Sequence, residues 1–478
     1  MKSFSTLAMV WSAILISVLT CSAQMYKMKD LGTLGGSFSH AAGVNLFGQV
    51  AGDSGLADGA GHAFRTEPNR PINPARDDLG TFGATAGKGD HSEGHALNDL
   101  GQVAGGSFIT YGSVFHAYRT RPNRPINLAT DDLGTLGESF STGNGINVWG
   151  QVVGNSSIPS GIFLHAFRTK PNRAINPATD DLGTLGGMSS QASGVNVWGQ
   201  TVGLASLADN TTMHGFRTRP NRAINPATDD LGTLGGSSSS AIHVNIFGQA
   251  VGTSSLAGDV VYHAFRTGPN RAIQAATDDL GTLGGNFSSA ASVDDFGQVV
   301  GWASTAGDAE QHAFLYSGGA MHDLNDLIAP GSSCTLNQVS DINDFGQIAA
   351  DGTCGGQPHA LLLTPIYRAT ARAPIRADGS SVFAGNGRVV PVKFTLTRNG
   401  MRTCNLPPAT IAITKANGNA MEGMETGAFA TSENGAMFRT TGCQYMYQLD
   451  SGSLGGGTYR VDISIRGVLV GNAVFVIR

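Results

Sequence analysis

The chain has 478 residues and a net charge of −5, with 67 glycines, 41% apolar residues and 14% charged residues. Its glycine content is roughly twice the usual share of about 7%, and its charged content is roughly half the usual ~25%, which favours many short strands joined by tight turns. The recurring apolar residues exclude a disordered chain, and the mild charge gives no indication of a nucleic-acid partner.

The first 23 residues predict an export signal. Lys2 supplies the positive start, residues 7–19 form an apolar run, and residues 21–23 offer small side chains for cleavage near Ala23. The run is too short to indicate a transmembrane anchor, so we expect a mature chain without a transmembrane segment, secreted or associated with the cell surface. A lipid anchor at Cys21 is the alternative, although the residue before it fits a lipoprotein signal poorly.

Three phrases recur seven times between residues 24 and 365, with a period of 49 residues from Asp181 to Asp230. Such a period is typical of a repeat architecture. The first phrase, DLGTLG or a variant of it, begins at Asp30, Asp78, Asp132, Asp181, Asp230, Asp279 and Asp323. The second phrase, of the form GVNVWGQTVG, begins at Gly43, His95, Gly145, Gly194, His243, Ser292 and Asp341. The third, His-Ala-Phe or a near relative, begins at His62, His116, His165, His214, His263, His312 and His359.

Each repeat predicts four strands, which we call a to d. In the fourth repeat, strand a covers residues 190–196 and strand b residues 199–203, and the Asn-x-aromatic-Gly between them is typical of a hairpin turn. Strand c is the His-Ala-Phe phrase and strand d the DLGTL phrase. Four short antiparallel strands repeated radially describe the blade of a β-propeller.

The two ends of the array indicate closure. The array opens with a strand d and closes with strands a, b and c, so the first strand can complete the last unit and remove the exposed edges. We therefore predict an all-β fold in which residues 24–365 form a seven-bladed β-propeller closed by the N-terminal strand. An open β-solenoid is the alternative.

Residues 366–379 read as a linker, and residues 380–478 as short alternating strands that predict a small immunoglobulin-like β-sandwich. One pair of cysteines lies late in the repeats and one in the tail, which indicates two structural disulfides in an oxidising compartment. A metal site is the competing interpretation, but no CxxC or HxH spacing supports it, and we expect no metal and no cofactor. The cysteines are Cys334, Cys354, Cys404 and Cys443.

The three phrases resemble the HAF-repeat family of extracellular repeat proteins, over residues 25–363. The tail, around residues 391–394 (PVKF) and 457–460 (GTYR), is similar to the PxKF type of secreted bacterial immunoglobulin-like domain. Neither resemblance implies a known activity or catalytic residues. The pattern is not kept everywhere. Ala84 and Glu138 replace the glycine that usually ends the DLGTLGG phrase, and the seventh repeat is degenerate.

The repeated histidines and aspartates favour a structural role, because an active site normally needs an asymmetric cluster of different groups. We interpret each histidine as a buried polar residue bonded to the DLG aspartate or to a serine of strand a. Falling pH is then expected to charge these histidines and destabilise the fold. Strand a, expected to line the central channel, reads as Ser, Ala, Gly and Asn without a carboxylate cluster, and no known catalytic motif is present.

Two surfaces remain as binding candidates. The first is the end that carries the a–b turns and a five-residue c–d insertion, where aromatic rings and guanidinium groups suit sugars and anions. The alternative for this end is that the aromatics staple neighbouring repeats and the arginines pair with Asp-Asp dyads. The second is the opposite end, where the sequences of the b–c loops vary between copies (residues 53–61, 106–115, 155–164, 204–213 and 253–262). This variation indicates either that the loops recognise a ligand or that their sequences drift without constraint. The candidates at the first end are Phe47, Trp149, Trp198, Phe247, Phe296, Phe345, Arg124, Arg173, Arg222 and Arg271, with Leu100, Arg70, Arg121, Lys170 and Arg219 beside them.

Together these features predict a secreted bacterial protein that is not an enzyme and that binds an extracellular glycan or protein as an adhesion module. A propeller enzyme acting on polysaccharide, a lyase or glycosidase, is the alternative. It would need an asymmetric acidic or His/Tyr/Arg group at one mouth of the ring. A structural surface component is the third possibility.

Overall fold

The computed structural model describes residues 26–83, 90–110, 113–159, 161–328, 333–376, 379–384, 389–398, 401–404, 409–416, 424–425, 438–465 and 468–478. The predicted export signal, the lipidation alternative at Cys21 and Ala84 lie outside these residues. The fold is all-β, with 54% strand and 4% helix, which confirms the predicted class. None of the helices in the described ranges has the length and apolar content needed to span a membrane.

The described residues of the repeat region form 23 strands, and three consecutive strands per repeat pair in antiparallel order. They are β1 (Tyr26–Asp30), β2 (Ser39–Val44), β3 (Val50–Gly55), β4 (Gly61–Arg65), β5 (Ser92–Leu97), β6 (Val103–Thr110), β7 (Val114–Arg119), β8 (Ser141–Ile146), β9 (Val152–Ser157), β10 (Leu164–Arg168), β11 (Gly186–Val195), β12 (Thr201–Leu207), β13 (Met213–Arg217), β14 (Ser239–Val244), β15 (Ala250–Ser255), β16 (Tyr262–Arg266), β17 (Gly284–Val293), β18 (Val299–Thr305), β19 (Gln311–Ser317), β20 (Ala320–Asp323), β21 (Cys334–Ile342), β22 (Ile348–Cys354) and β23 (Gln357–Pro365).

The DLG phrase supplies the fourth member of each unit. In repeats one to five its aspartate forms an antiparallel bridge to the aromatic residue of strand c, as Asp181 does to Phe167. In repeat six a four-residue strand, β20, ends at the aspartate that begins the phrase, Asp323, and is joined to β19 by the direct turn expected at Ser317 to Gly319. The five-residue insertion of the other repeats ends in a capped turn, and in two of them this turn forms a single helical turn (Leu128–Asp131 and Ala275–Asp278). Short 3-10 turns lie at Ala306–Asp308 and Asn325–Leu327.

The first strand pairs with the last repeat, as predicted. β1 lies antiparallel to β23 over its whole length, from Tyr26 opposite Pro365 to Asp30 opposite Leu361. The first strands of successive repeats also contact one another in order along the chain, through β2, β5, β8, β11, β14, β17 and β21. β21 in turn contacts β2. The two ends of the repeat region are therefore in contact.

Side chains of consecutive repeats share each hydrophobic core. One cluster joins Ala117 and Leu136 to Val152 and Phe167, and the others combine residues in the same way. Because both faces of every small sheet are covered by a neighbour, small residues such as alanine and glycine alternate with the large ones along the strands.

An asparagine in each a–b turn links one repeat to the next. The side chain of Asn147 accepts hydrogen bonds from the backbone N–H groups of Trp149 and Gln151 (both 3.1 Å), and its Nδ2 donates to the backbone oxygen of Asn196 (3.0 Å). The same donor bond runs from Asn45, Asn98, Asn196 and Asn245, at 2.9–3.2 Å, to the next turn. In the last repeat, Nδ2 of Asn343 donates to the backbone oxygen of Asn45 in the first repeat at 2.8 Å. We call this set the asparagine ladder; repeat six interrupts it, since Asp294 stands at the equivalent position.

Two further sheets contain only residues that follow the repeats. One has the order β24-β26-β31-β30 with β27 on β26, and the other has the order β25-β33-β32-β28-β29. Their shared core contains Phe394, Tyr445, Val461 and Phe475, all fully buried. Residues 366–379 were expected to form a linker, but Tyr367–Arg372 is a strand that pairs with residues 393–398, and Ile375 is fully buried in the same core. A 3-10 turn covers Ser451–Ser453. The strands are β24 (Tyr367–Arg372), β25 (Ser381–Phe383), β26 (Val389–Arg398), β27 (Met401–Thr403), β28 (Ala409–Ala416), β29 (Met424–Glu425), β30 (Arg439–Thr441), β31 (Gln444–Asp450), β32 (Gly457–Ile465) and β33 (Val468–Ile477).

Both expected disulfides are present. Cys334 is bonded to Cys354 across β21 and β22, and Cys404 is bonded to Cys443 in the tail.

Replacing Asn147 by alanine tests the ladder. Asn147→Ala removes the partners of two turn N–H groups and of the Asn196 oxygen, and each buried group left unpaired costs about 1–3 kcal/mol. Asn147→Asp keeps both acceptor bonds but loses the donor to Asn196 and to Gln151 Oε1, and it introduces a buried carboxyl, as at Asp294. We expect the melting temperature, measured by calorimetry, to fall clearly more for Asn147→Ala than for Asn147→Asp. Equal melting temperatures for the alanine variant and the parent would contradict a stabilising role.

Candidate functional site

The a–b turns and the c–d insertions lie together at one end of each repeat, as predicted. Asn172 of the insertion donates through Nδ2 to the backbone oxygen of Trp149 (3.1 Å), and its Oδ1 accepts from Gln102 of the preceding repeat (3.2 Å). Gly150 adjoins this amide so closely that a Cβ there would lie 2.3 Å from Oδ1, and its φ of +73° also requires glycine. The combined surface, which we call the turn face, is therefore held by bonds within and between repeats.

At the position that precedes the glycine of the a–b turn, the turn face exposes a large apolar side chain in each of the first six repeats. Trp149 and Trp198 are 57% and 58% exposed, although each indole Nε1 donates to a backbone oxygen of the next repeat at 2.9 Å. Each tryptophan therefore staples neighbouring repeats while most of its ring remains accessible. The other exposed members are Phe47, Leu100, Phe247 and Phe296.

Phe345, in the seventh repeat, differs from the other turn-face aromatics. Its side chain is only partly exposed, and its backbone oxygen accepts a 2.7 Å hydrogen bond from the Tyr367 hydroxyl of the tail. Tyr367 therefore contacts the turn face at repeat seven, whereas the corresponding side chains of the first six repeats are exposed.

The arginines of the insertion divide into two groups. Arg124, Arg173 and Arg222 are exposed, and within the described ranges their side chains form no salt bridge. Arg271 instead pairs with buried Asp278 at 2.8 Å. The dyad-pairing alternative is therefore confirmed at Arg271 alone. Arg70, Arg121, Lys170 and Arg219 are also exposed.

Another set of arginines was missed by the sequence reasoning. The arginine that follows His-Ala-Phe lies beneath the turn face: Arg168 donates to the backbone oxygen of Arg222 at 3.0 Å, and Arg119 does the same to Arg173 at 3.1 Å. Burial lowers the pKa of Arg168 to about 10, so it stays charged at neutral pH. The signal was the arginine that ends strand c in each of the first five repeats.

All seven repeated histidines bond to a DLG aspartate, which confirms their structural interpretation. His165 Nδ1 lies 2.9 Å from an Asp181 oxygen, and His359 in the last repeat lies 2.9 Å from Asp30 in the first strand. The remaining pairs join His62, His116, His214, His263 and His312 to Asp78, Asp132, Asp230, Asp279 and Asp323.

For the His165–Asp181 pair, the expected effect of pH was wrong in sign. The hydrogen bond to Asp181, opposed by burial, raises the pKa of His165 above its usual value. Burial pushes the pKa of Asp181 upward, but its bonds to His165 and the Gly183 N–H bring it below its usual value. The folded state thus favours imidazolium beside carboxylate, because the charged histidine has an ionised partner.

The first strands of all seven repeats enclose a cavity of about 170 Å³, which we call the central cavity. The residues that line it include a single carboxylate, Asp341, which is not a carboxylate cluster, but the sequence reading of strand a as Ser, Ala, Gly and Asn missed His243 and Asp341. His243, Ser292 and Asp341 face this cavity, with Ser292 Oγ 2.7 Å from Asp341 and 3.4 Å from His243 Nδ1. Strand order alone does not bring these three together, because they come from three different repeats.

A second polar group lies where the strands of repeats seven, one and two begin. His40 lies 3.6 Å from Asp351, and Glu93 contacts both His91 and His95. Burial raises the pKa of Asp53, whereas the hydrogen bonds from His91 and His95 lower the pKa of Glu93. This group is asymmetric, since the equivalent residues of other repeats, such as Thr142, are uncharged.

The opposite end exposes scattered apolar residues in its variable loops. Ile162 is 78% exposed and Val260 is 72% exposed. Across the described ranges, the one group of three metal-type ligand atoms within 4.8 Å of one another is Asp30, Cys334 and Cys354. Its cysteines are joined as a disulfide, so they offer no thiolate to a metal.

Comparison with known proteins gives little further information. No family model and no curated protein matches the chain. Among solved structures, a puromycin-hydrolysing peptidase of Mycobacterium tuberculosis is similar with a TM-score of 0.40 and 11% identity, over 79% of this chain and 59% of the peptidase. The match thus spans less than two thirds of the peptidase, and it is too distant to carry that protein's activity to this chain.

The His165–Asp181 pair predicts a pH dependence of stability. The histidine's contribution is complete below its unfolded pKa of about 6.5 and is lost as pH rises through its raised folded value. The aspartate's contribution is present above about 3.9 and is lost as pH falls through its lowered folded value. We expect His165→Gln to destabilise the protein more at about pH 5.5 than at about pH 8, by under about 1 kcal/mol since Asp181 is partly exposed.

Melting temperatures of both proteins at the two pH values measure this difference. A larger cost of His165→Gln at the higher pH would show that the histidine is held neutral instead. Asp181→Asn provides the matched control, because it removes the partner while leaving the ring in place.

Proposed function

We propose that this protein is a secreted binding or adhesion module whose turn face takes an acidic polysaccharide. We also propose that residues 24–365 form a closed seven-bladed β-propeller of the HAF-repeat type, and that residues 380–478, together with the strand Tyr367–Arg372, form an immunoglobulin-like sandwich of the PxKF type. In this proposal the turn face binds without catalysis, and its partner is an extracellular glycan and not nucleic acid.

Closure of the ring is supported by contacts between the two ends of the array. β1 pairs with β23, and Asn343 donates to the backbone oxygen of Asn45. His359 bonds to Asp30 across the same junction. In an open solenoid the first and last repeats would be far apart and could not form these bonds.

Secretion is supported by the two disulfides, which persist in oxidising compartments. The export-type segment at residues 1–23 lies outside the described residues, and it agrees with the same location.

The observation that carries the binding proposal is the exposure of Trp149 and Trp198 on a rigid surface. Each indole is fixed by its hydrogen bond to the next repeat, so its ring is presented to solvent at little entropic cost on binding. Rings at equivalent positions of consecutive repeats suit a partner that is itself a repeating chain. The exposed guanidinium groups of Arg124, Arg173 and Arg222 add positive charge, which favours a polymer bearing carboxylates.

The polar groups near the central cavity favour a second candidate function, a polysaccharide lyase or glycosidase. Asp53 and Glu93 belong to neighbouring repeats, and their surroundings move their pKa values in opposite directions. Such divergence is typical of a general acid beside an ionised carboxylate. Formation of new reducing ends or unsaturated sugars from polygalacturonate, abolished by Asp53→Asn, would favour the enzyme.

Binding to polygalacturonate, with neutral dextran for comparison, tests the main proposal. We expect saturable binding of residues 24–478 to the acidic polymer, weakened by salt because charged groups contribute. Replacing Trp149 and Trp198 together by alanine should weaken it about 5- to 150-fold, if each ring contributes about 0.5–1.5 kcal/mol. Replacing Arg124, Arg173 and Arg222 by glutamine should reduce the salt dependence.

Ile162→Ala is the matched control, since it removes an exposed apolar side chain from the opposite end. Folding of each variant is checked by its melting temperature. Equal binding by the parent and the double tryptophan variant, or loss of binding in Ile162→Ala alone, would reject the turn face as the binding surface.

Ring closure in solution is tested at Asn343. In a closed ring this residue has a neighbour on both sides, so Asn343→Ala should lower the melting temperature about as much as Asn147→Ala does. In an open array Asn343 would be terminal, and its replacement would cost much less.

A further inference from the structure

A cavity lies at the junction between the repeat region and the tail. The chain passes from β23 to β24 through Ile366 alone, so the tail begins directly beside the last repeat. The space between them has a volume of about 290 Å³, and we call it the junction cavity. Residues of repeats one and seven, such as Asn69 and Phe345, line one side of it, and Tyr367 and Val470 line the other. Boundaries of this kind are frequent positions for ligand sites.

Hydrogen bonds hold the walls of the junction cavity in place. The Tyr367 hydroxyl donates to the backbone oxygen of Phe345 at 2.7 Å, which ties the tail to the a–b turn of repeat seven. In the same turn, Gln347 Nε2 donates to Asn69 Oδ1 at 2.7 Å, which ties repeat seven to repeat one. Because its walls are bonded to one another, the cavity is formed before a ligand arrives, and little conformational entropy is lost on binding.

The charged residues of the described lining are two lysines. Lys27 and Lys29 are two positions apart on β1, so their side chains leave the strand on the same side, and both are exposed. Lys29 Nζ donates to the backbone oxygen of Asn69 at 2.7 Å, which places this ammonium group at the cavity wall. An ammonium group has three N–H donors, so Lys29 retains two for a ligand. Since the described lining contains no carboxylate, it favours a negatively charged group.

The remaining lining of the junction cavity is mainly apolar. Ile366, Tyr367, Ile465 and Val470 line it from the chain that follows the repeats, and Phe345 lines it from repeat seven. Transfer of an apolar group from water to such a lining is favourable, whereas a ligand that is polar throughout would lose hydrogen bonds to water without replacing them. The cavity therefore suits a ligand that is apolar over most of its surface and negatively charged at one end.

We propose that the junction cavity binds a small amphipathic acid, an aromatic or short aliphatic carboxylate whose charged end lies beside Lys27 and Lys29. Its volume is close to the lower end of the range of about 300–1,000 Å³ that is usual for ligand sites, so the ligand is a small molecule and not a polymer. This proposal is independent of the binding role of the turn face, because Trp149 and Trp198 are not among the residues that line the cavity.

Calorimetric titration of residues 24–478 with 1-naphthoate tests the site. We expect saturable binding of one molecule per chain. The neutral 1-naphthalenemethanol has nearly the same shape, and it should bind at least about fivefold more weakly, because a partly solvent-exposed charge pair contributes modestly to affinity. Lys27→Glu should weaken binding of 1-naphthoate at least about fivefold for the same reason, and it should leave binding of the alcohol nearly unchanged.

Val470→Trp tests the apolar wall, since the larger side chain fills part of the cavity. It should weaken binding of both compounds at least about tenfold, as expected when a ligand is excluded by the shape of its site. Lys170→Gln is the matched control, because it removes an exposed lysine from the turn face of repeat three. It should leave both affinities unchanged.

Melting temperatures establish that each variant is folded. Lys27 is exposed, so Lys27→Glu remains informative even if Val470→Trp does not fold. Absence of saturable 1-naphthoate binding to the parent, equal affinities for the acid and the alcohol, or unchanged binding of 1-naphthoate by Lys27→Glu would overturn the proposal.

Discussion

The asparagine of the a–b turn is the residue on which the repeat region depends. Its Oδ1 accepts hydrogen bonds from two backbone N–H groups of its own turn. Its Nδ2 donates to the backbone oxygen of the equivalent asparagine in the next repeat. One side chain thus shapes a hairpin and joins it to its neighbour. Since each turn is completed by the repeats around it, the stability of one repeat is coupled to that of the next.

Repeat six shows how the fold accommodates a break in this ladder. Asp294 keeps the two acceptor bonds to its own turn but has no amide donor for the next one. Burial raises the pKa of Asp294 to about 6, because its carboxylate gives up solvation with few compensating partners. The backbone N–H of Asp295 donates to Asp344 at 2.9 Å, a link that also joins Leu46 to Asp99 and Ile246 to Asp295 in repeats with an intact ladder.

Symmetry separates structural from functional candidates in this molecule. The histidine–aspartate pairs occur in every repeat with the same atoms in contact, so they form part of the framework. The polar residues of repeats seven, one and two depart from the repeat, and among them are the charged groups near the central cavity. The turn face lies between these cases: its framework repeats, while the identity of its exposed side chain varies and the tail covers Phe345.

Local sequence was sufficient for the strands, the turns and the all-β class, because alternation, hairpin residues and a regular period act over a few neighbouring residues. It also indicated both disulfides, the short sixth repeat and the bond between each histidine and its aspartate. Tertiary structure alone decided the charge preference of His165, the second role of the turn asparagine and the contact between Ser292, Asp341 and His243. Each of these depends on which strands become neighbours in space, and a residue's electrostatic surroundings and exposure are set by groups that are distant along the chain.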